Sequence, residues 1–362
     1  MAGNDNRSLA QLNDLEVRLY KLTTRSHLRV GAGEGSADVA VENPLIRALI
    51  YHEKPRKEGE KKEWEEKRVP YIPGSSLHGV IRAWVEKALR SGQEPLTAEQ
   101  LQAHLGALKD ADETAHDNLL DNVRQEVADF LGKEKDDVKD HELYKHWRVY
   151  IKPHVCDPLS DVDKCERITD AESSPRKWKV EWWKQIGRQL PCDVCRVFGY
   201  MGQRGRVKVT PAWPTTEEVP IDVITRVAIN RLTGAADEGK LFDLEAIPPG
   251  VDFHFFTVLE NMEGYKEHFE KGIRALNLQL AGVGAHSTVG FGMVDVERVF
   301  SATVKPEVFD RDVEADFVEQ VLKDVDVQQV TDIDLTKVPN FFKALVVAQK
   351  QEKSFDDLIT FA

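Results

Sequence analysis

Residues 69–92 read VPYIPGSSLHGVIRAWVEKALRSG. Pro73-Gly74 is a turn signal, and Ser75 or Ser76 is suited to N-cap a helix. Beyond the serines, Leu77, Val80, Ile81, Trp84, Val85, Ala88 and Leu89 fall on one helical face. Upstream, residues 15–30 (LEVRLYKLTTRSHLRV) alternate as a strand does. A Gly-rich loop, GAGEGSADVAVENP, follows, then a short strand over 45–51 and a charged run over 53–68 that suits an exposed loop or hairpin tip. Downstream, 94–147 is acidic and helical in pattern and reads as an insertion. Residues 154–195 hold every cysteine around a Trp/Lys-rich middle, 206–212 suits a strand, and 225–249 suits a long hairpin. VDFHFFTVL (251–259) is a strand and 267–280 a helix; AGVGAHSTVGFG (281–292) is a second glycine loop, and 293–299 a closing strand. The tail after Val304 reads as mostly helical and acidic. This order suits an α+β sandwich of the ferredoxin-like kind with large insertions.

Composition limits the function. The chain has 362 residues, 41% hydrophobic and 31% charged, enough for a sizeable core on a water-compatible surface. Apolar runs are only a few residues long, so no bilayer-spanning segment and no membrane partner is expected. The polar start, MAGNDNRSLAQLNDLEV, lacks the pattern of a secretory signal, which places the protein in the cytoplasm. The net charge of −13 argues against a simple basic nucleic-acid-binding domain. Basic residues nevertheless cluster at 21–29, 176–188, 196–208 and 226–231, and local field matters more to a ligand than the total.

Three groups of residues carry chemistry. Cys192-Asp-Val-Cys195 is a C-x-x-C knuckle that can chelate one tetrahedral ion; Cys156 and Cys165 can supply the second pair, with His154 a fifth candidate. Four such ligands suit a structural Zn²⁺. A redox pair, or separate buried thiols, is the competing reading, and no thioredoxin-like context surrounds the motif. The turn before Leu77 presents free N–H groups and a positive dipole end, which suits a phosphate, with Ser75, Ser76, His78 and Arg82 nearby. The same pattern also describes a plain capped amphipathic helix. Gly282, Gly284, Gly290 and Gly292 permit close backbone approach, and with Ser287 and Thr288 they can form an anion nest or a simple flexible turn.

Taken together, these pieces resemble a known family. VPYIPGSSLHGVIR resembles the PGSS signature of the RAMP proteins of CRISPR systems. CDVCRVFG (192–199), TRVAINRLTGAA with LFDLEAIPPGVDF (225–253), and GVGAHSTVGFGMV resemble the cysteine segment, thumb hairpin and glycine loop of the Cas7 backbone subunits of type III effector complexes, most closely the Csm3 type. The four matches occur in the family's order. The resemblance implies an RRM-like palm with a protruding thumb over residues 1–303, with an insertion at 91–150, a zinc-binding insertion at 151–198 and the thumb at 222–250. An acidic helical extension over 304–362 completes the chain.

The implied partners are a CRISPR RNA, a target RNA and other Cas subunits. The implied RNA-binding residues are Ser75, Ser76, His78 and Arg82; His27 and Arg29; Thr225, Arg226 and Arg231 of the thumb; and Gly284, His286, Ser287 and Gly290. Such sequence-blind grip uses phosphates and leaves base edges free to pair. Active relatives cleave target RNA with a divalent metal through an Asp in the loop after the first strand. Here Glu42 stands at that place and Asp38 lies four residues upstream, so either is a candidate to work with Mg²⁺ or Mn²⁺, or the subunit is silent. Two alternatives stay open: a free-standing Cas6-like RNA-processing nuclease using His27 and His286 without metal, and a non-enzymatic zinc-stapled interaction protein.

Overall fold

The computed structural model describes residues 11–32, 43–53, 64–91, 94–149, 155–157, 159–160, 164–165, 177–187, 191–216, 218–230, 232–307, 340–351 and 359–361. In chain order these form β1 (Leu15–Thr24), β2 (Arg47–Glu53), β3 (Trp64–Pro70), α1 (Gly74–Arg90), α2 (Ala98–Ala111), α3 (Glu113–Leu131), α4 (Asp140–His146), α5 (Lys177–Gln185) and α6 (Asp193–Phe198). Then come β4 (Val207–Val209), β5 (Trp213–Pro214), β6 (Asp222–Ile229), β7 (Ala236–Ala246), β8 (Asp252–Glu260), α7 (Lys266–Asn277), β9 (Val294–Val304), α8 (Asn340–Lys350) and β10 (Ile359–Phe361). The α+β expectation holds. Among the described residues no helix is long and apolar enough to cross a membrane.

The chain divides into two compact units. The first comprises Met1–Ile81, Val207–Asn261 and Gly272–Ala362; the second comprises Arg82–Arg206 and Met262–Lys271. The first unit is built on an antiparallel sheet in the order β10-β9-β1-β8-β4, with β5 also pairing β8. β1 lies between β8 and β9 and pairs with both, with an irregularity in the β9 register at Leu19/Tyr20. Alternation along β1 sends Leu15, Val17 and Leu19 into one apolar cluster with Phe256, Phe300, Ala302 and Val304. Residues Ala344–Ala348 of α8 fill the same cluster, and Phe342 stacks on Phe256 at 4.6 Å. On the opposite face Tyr20 stacks on Phe255 at 5.2 Å. Two hairpins, β2–β3 and β6–β7, form separate two-stranded sheets.

The second unit is helical. Leu101, Leu105 and Leu108 of α2 and Leu119, Val123 and Val127 of α3 are buried at helical spacing. Thr97 and Gln100 form a capping box on α2, and Gly132 ends α3 in the left-handed conformation. Trp178, Trp182 and Trp183 of α5 are buried, and Trp182 packs on Trp147 at 5.4 Å between ring centres.

Three local expectations change. The helix of the opening motif starts at Gly74, so Ser75 and Ser76 lie inside its first turn rather than at the cap. A side chain at Gly74 would run into the Val209 and Thr210 backbone, so only glycine fits this first helical position. The charged run ends in a strand, β3, paired with β2. The tail adds a strand as well as a helix, because β10 pairs with β9.

Candidate nucleic-acid interface and metal centre

The first candidate site lies in the first unit, where the end of β1, the glycine loop and the base of the β6–β7 hairpin meet. Backbone hydrogen bonds assemble it: Leu28 and Ile247 exchange bonds of 2.8 Å each, Gly292 N–H donates to the His27 carbonyl (2.7 Å), and Ala285 N–H donates to the Arg29 carbonyl (2.8 Å). Gly284 has φ +84°, and a Cβ there would strike the Arg29 carbonyl. Gly292 likewise presses on Val283, whereas Gly290 faces open space. His286 adopts φ +61°, a region in which His is tolerated better than branched residues.

Phe291, set between Gly290 and Gly292, is the hub. The His27 and His286 rings lie 5.8 and 5.7 Å from it, and the Arg226 guanidinium sits 4.5 Å over its face. With Leu244 and Ala246 it forms a small buried cluster at the hairpin base. His27 Nε2 is 2.9 Å from Asp222 Oδ2, and Thr225 donates to Asp243 at 2.5 Å. Glu245 is buried and accepts from Leu45 N–H (2.8 Å) and Arg47 (2.9 Å). The Arg29 guanidinium lies where a side chain at Gly31 would be, and its Nε is buried with no hydrogen-bond partner among the described residues. Burial lowers the Arg29 pKa, offset in part by Glu245; burial, Arg29 and Arg226 together lower that of His286.

Ser75 and Ser76 follow a turn held by a different set of contacts. Ile72 and Ala212 exchange backbone hydrogen bonds of 3.0 and 2.8 Å, which pins the turn to the β4–β5 segment. Ser76 N–H bonds the Pro73 carbonyl at 3.0 Å, and Ser75 is exposed. Glu42, Asp38, His154 and Arg231 lie outside the described residues. Phe291, Asp222 and Glu245 escaped the sequence reading. An aromatic flanked by two glycines was the available signal for the first; nothing local marked the other two.

The second candidate site is in the second unit. The Sγ atoms of Cys156, Cys165, Cys192 and Cys195 all lie within 4.8 Å of one another, and all four residues are buried. Cys192 caps α6, its sulfur accepting from Cys195 N–H at 3.4 Å, while Cys192 N–H donates to Cys165 at 3.3 Å. The knuckle is thus a helix start whose turn points two sulfurs to one side. The Cys165 hydrogen bond is the main influence that draws the Cys156 thiol down to about 7. Four soft donors at this spacing can hold a metal such as zinc. Arg82 reaches this site: Nη2 is 3.9 Å from Cys195 Sγ, Nη1 donates to the Gly199 carbonyl (2.9 Å) and Nε to Glu86 (2.9 Å).

The sequence model of the RAMP superfamily matches residues 21–295, and the chain belongs to that superfamily. No curated protein sequence matches it. Among solved structures, it is similar to a chain of the cryo-EM structure of the Type III-B Cmr-beta bound to cognate target RNA. That likeness has 13% identity and a TM-score of 0.37, and it covers 84% of this chain and 68% of the other.

Proposed function

We propose that this chain is a CRISPR RNA-binding backbone subunit of a type III effector complex, of the Cas7 kind and nearest the Csm3 type. The observation that carries the reading is the hub around Phe291. There the glycine loop and hairpin base bring Arg226, His27 and His286 against one ring, with the Arg29 backbone locked to Gly284. A guanidinium and two imidazoles beside a glycine turn suit phosphates, which a guide presents whatever its sequence. The strand–helix succession β1, α1, β4, β8, α7, β9, in sheet order β9-β1-β8-β4, supports reading these elements as a ferredoxin-like palm. The β6–β7 hairpin is its thumb.

In this reading Ser75, Ser76, His78, Arg231, Ser287 and Gly290 add guide contacts, target RNA pairs along the guide, and neighbouring Cas subunits flank the chain in the cytoplasm. The helices between α1 and α5 and the extension after residue 303 are insertions on the palm. The cysteine site holds structural Zn²⁺, with His154 in reserve as a ligand. Glu42 or Asp38 is the residue that would cut target RNA with Mg²⁺ or Mn²⁺.

Guide RNA binding by the assembled complex tests the proposal. Arg226→Ala should weaken binding alike for unrelated guide sequences and lower the salt dependence by about one counterion. Unchanged affinity and salt slope would refute it. Failure to bind RNA, alone or assembled, would favour the zinc-stapled interaction protein.

One observation keeps a second reading alive. His27 is held by Asp222 at 2.9 Å while His286 faces the same ring, an arrangement open to metal-free acid–base cleavage of repeat RNA. Cleavage by the isolated chain in chelator, abolished by His27→Ala, would put the Cas6-like function first.

A further inference from the structure

The sequence resemblance assigns Arg82 to the guide, yet its three nitrogens are already directed elsewhere. Nε is tied to Glu86 one turn along α1 at 2.9 Å, and Nη1 to the carbonyl of Gly199 at 2.9 Å. The remaining terminal nitrogen lies 3.9 Å from Cys195 Sγ. Gly199 is the residue that closes α6, whose first turn carries Cys192 and Cys195. The arginine therefore grips both ends of the knuckle helix, one through a backbone carbonyl and the other through a sulfur.

We infer that Arg82 is the countercharge and positioning residue of the four-cysteine metal site rather than a guide ligand, an inference that rests on the zinc reading. A divalent ion held by four thiolates leaves two net negative charges on the sulfurs. Two backbone N–H groups already point at sulfur, Cys192 N–H to Cys165 and Cys195 N–H to Cys192. Arg82 adds a full positive charge to that set, and its planar fork can bond a carbonyl and a sulfur at once. Its fixed stem matters as much. Glu86 accepts from Nε, which fixes the direction of the fork. A lysine at this position would bring charge without the fork.

The experiment uses the full chain with its metal. Zinc release to a chromogenic chelator is timed, and the cobalt-substituted protein is examined for its thiolate charge-transfer bands. Groups that orient metal ligands from behind typically change affinity about 10- to 100-fold. Arg82→Gln is expected to speed zinc release by about that factor and to shift the cobalt–thiolate bands, with Arg82→Lys recovering part of the loss. Guide binding by the assembled complex is measured on the same variants. Release within about twofold of wild type in Arg82→Gln, with guide affinity lost, would overturn the inference and return Arg82 to the RNA. A wild-type chain that carries no zinc and gives no cobalt–thiolate band would overturn the zinc reading itself, along with this inference. Should Arg82→Gln not fold, Glu86→Ala, which removes the acceptor that holds the stem and leaves the charge of Arg82, is expected to speed release more mildly; no effect there would also count against the positioning role.

Discussion

Gly284 and Gly290 both adopt left-handed backbone, at φ +84° and +88°, six residues apart in one loop. Only Gly284 is pressed against another segment: a Cβ there meets the Arg29 carbonyl oxygen, its carbon at 3.0 Å and Val30 Cγ2 at 3.2 Å. At Gly290 nothing lies within 4 Å. Alanine at either position pays the left-handed cost of about 1–2 kcal/mol. At Gly284 it must also push the loop off β1's end and break the Ala285 N–H bond to Arg29. Leaving such groups unsatisfied costs about 1–3 kcal/mol more, so Gly284→Ala should lose about 2–5 kcal/mol in all.

Hydrogen exchange read by mass spectrometry resolves the loop. Amides of the 283–292 segment should exchange at least about 30-fold faster in Gly284→Ala, while Gly290→Ala should change them about 30-fold at most. Guide affinity should fall further in the first variant than in the second. Equal loss of protection in the two variants would refute the reasoning, because it would mean that contact with Arg29 does not hold the loop.

Three further outcomes are expected. If the cysteine site holds structural zinc as proposed, removing it with a chelator, or replacing Cys192 with Ser, should unfold the knuckle and lower helix content, read by circular dichroism with metal analysis by mass spectrometry; unchanged spectra would count against a structural metal. Leu345, fully buried under the sheet, should cost about 2–5 kcal/mol as Leu345→Ala in urea unfolding. His286 is held below its usual 6.5 by burial, Arg29 and Arg226. The unfolded chain therefore binds the proton first, so stability falls on acidification through that range, and His286→Asn should flatten that part of the pH profile.

Much of the first unit could be read from the chain. β8 announces itself as VDFHFFTVL, and the buried positions of α1, Leu77, Ile81, Val85 and Leu89, follow the spacing expected of one helical face. The acidic helices also appeared where predicted, because α2 and α3 bury leucines and valines at regular intervals. Other parts were hidden for physical reasons. β3 reads WEEKRVP; its hairpin lies outside the main sheet, so most of it carries no hydrophobic alternation to betray it. α8 reads NFFKALVVAQK, a short apolar run in an acidic tail, and only the sheet beneath it explains why Ala344–Ala348 are buried. α5 was missed because three tryptophans among lysines do not look like a helix face until they pack.

The candidate sites divide in the same way. The four cysteines were legible because thiolate spacing is local chemistry. The Phe291 hub was not, since its members come from β1's end, the hairpin and the glycine loop, and only tertiary structure assembles them.

The margins of the main sheet are short. On one side β10 lays three residues along β9; on the other β4 and β5 lay three and two residues along β8. An unpaired strand edge is a generic adhesive, ready to zip onto any extended backbone. Here a stub of the chain's own sequence occupies part of each edge, Ala302–Val304 of β9 on one side and five residues of β8 on the other. Where those stubs block the ladder, a joint must rely on side chains and loops, whose chemistry differs from surface to surface. Joints of that kind can tell one neighbour from another and can stop at a set length, which a backbone zipper cannot do.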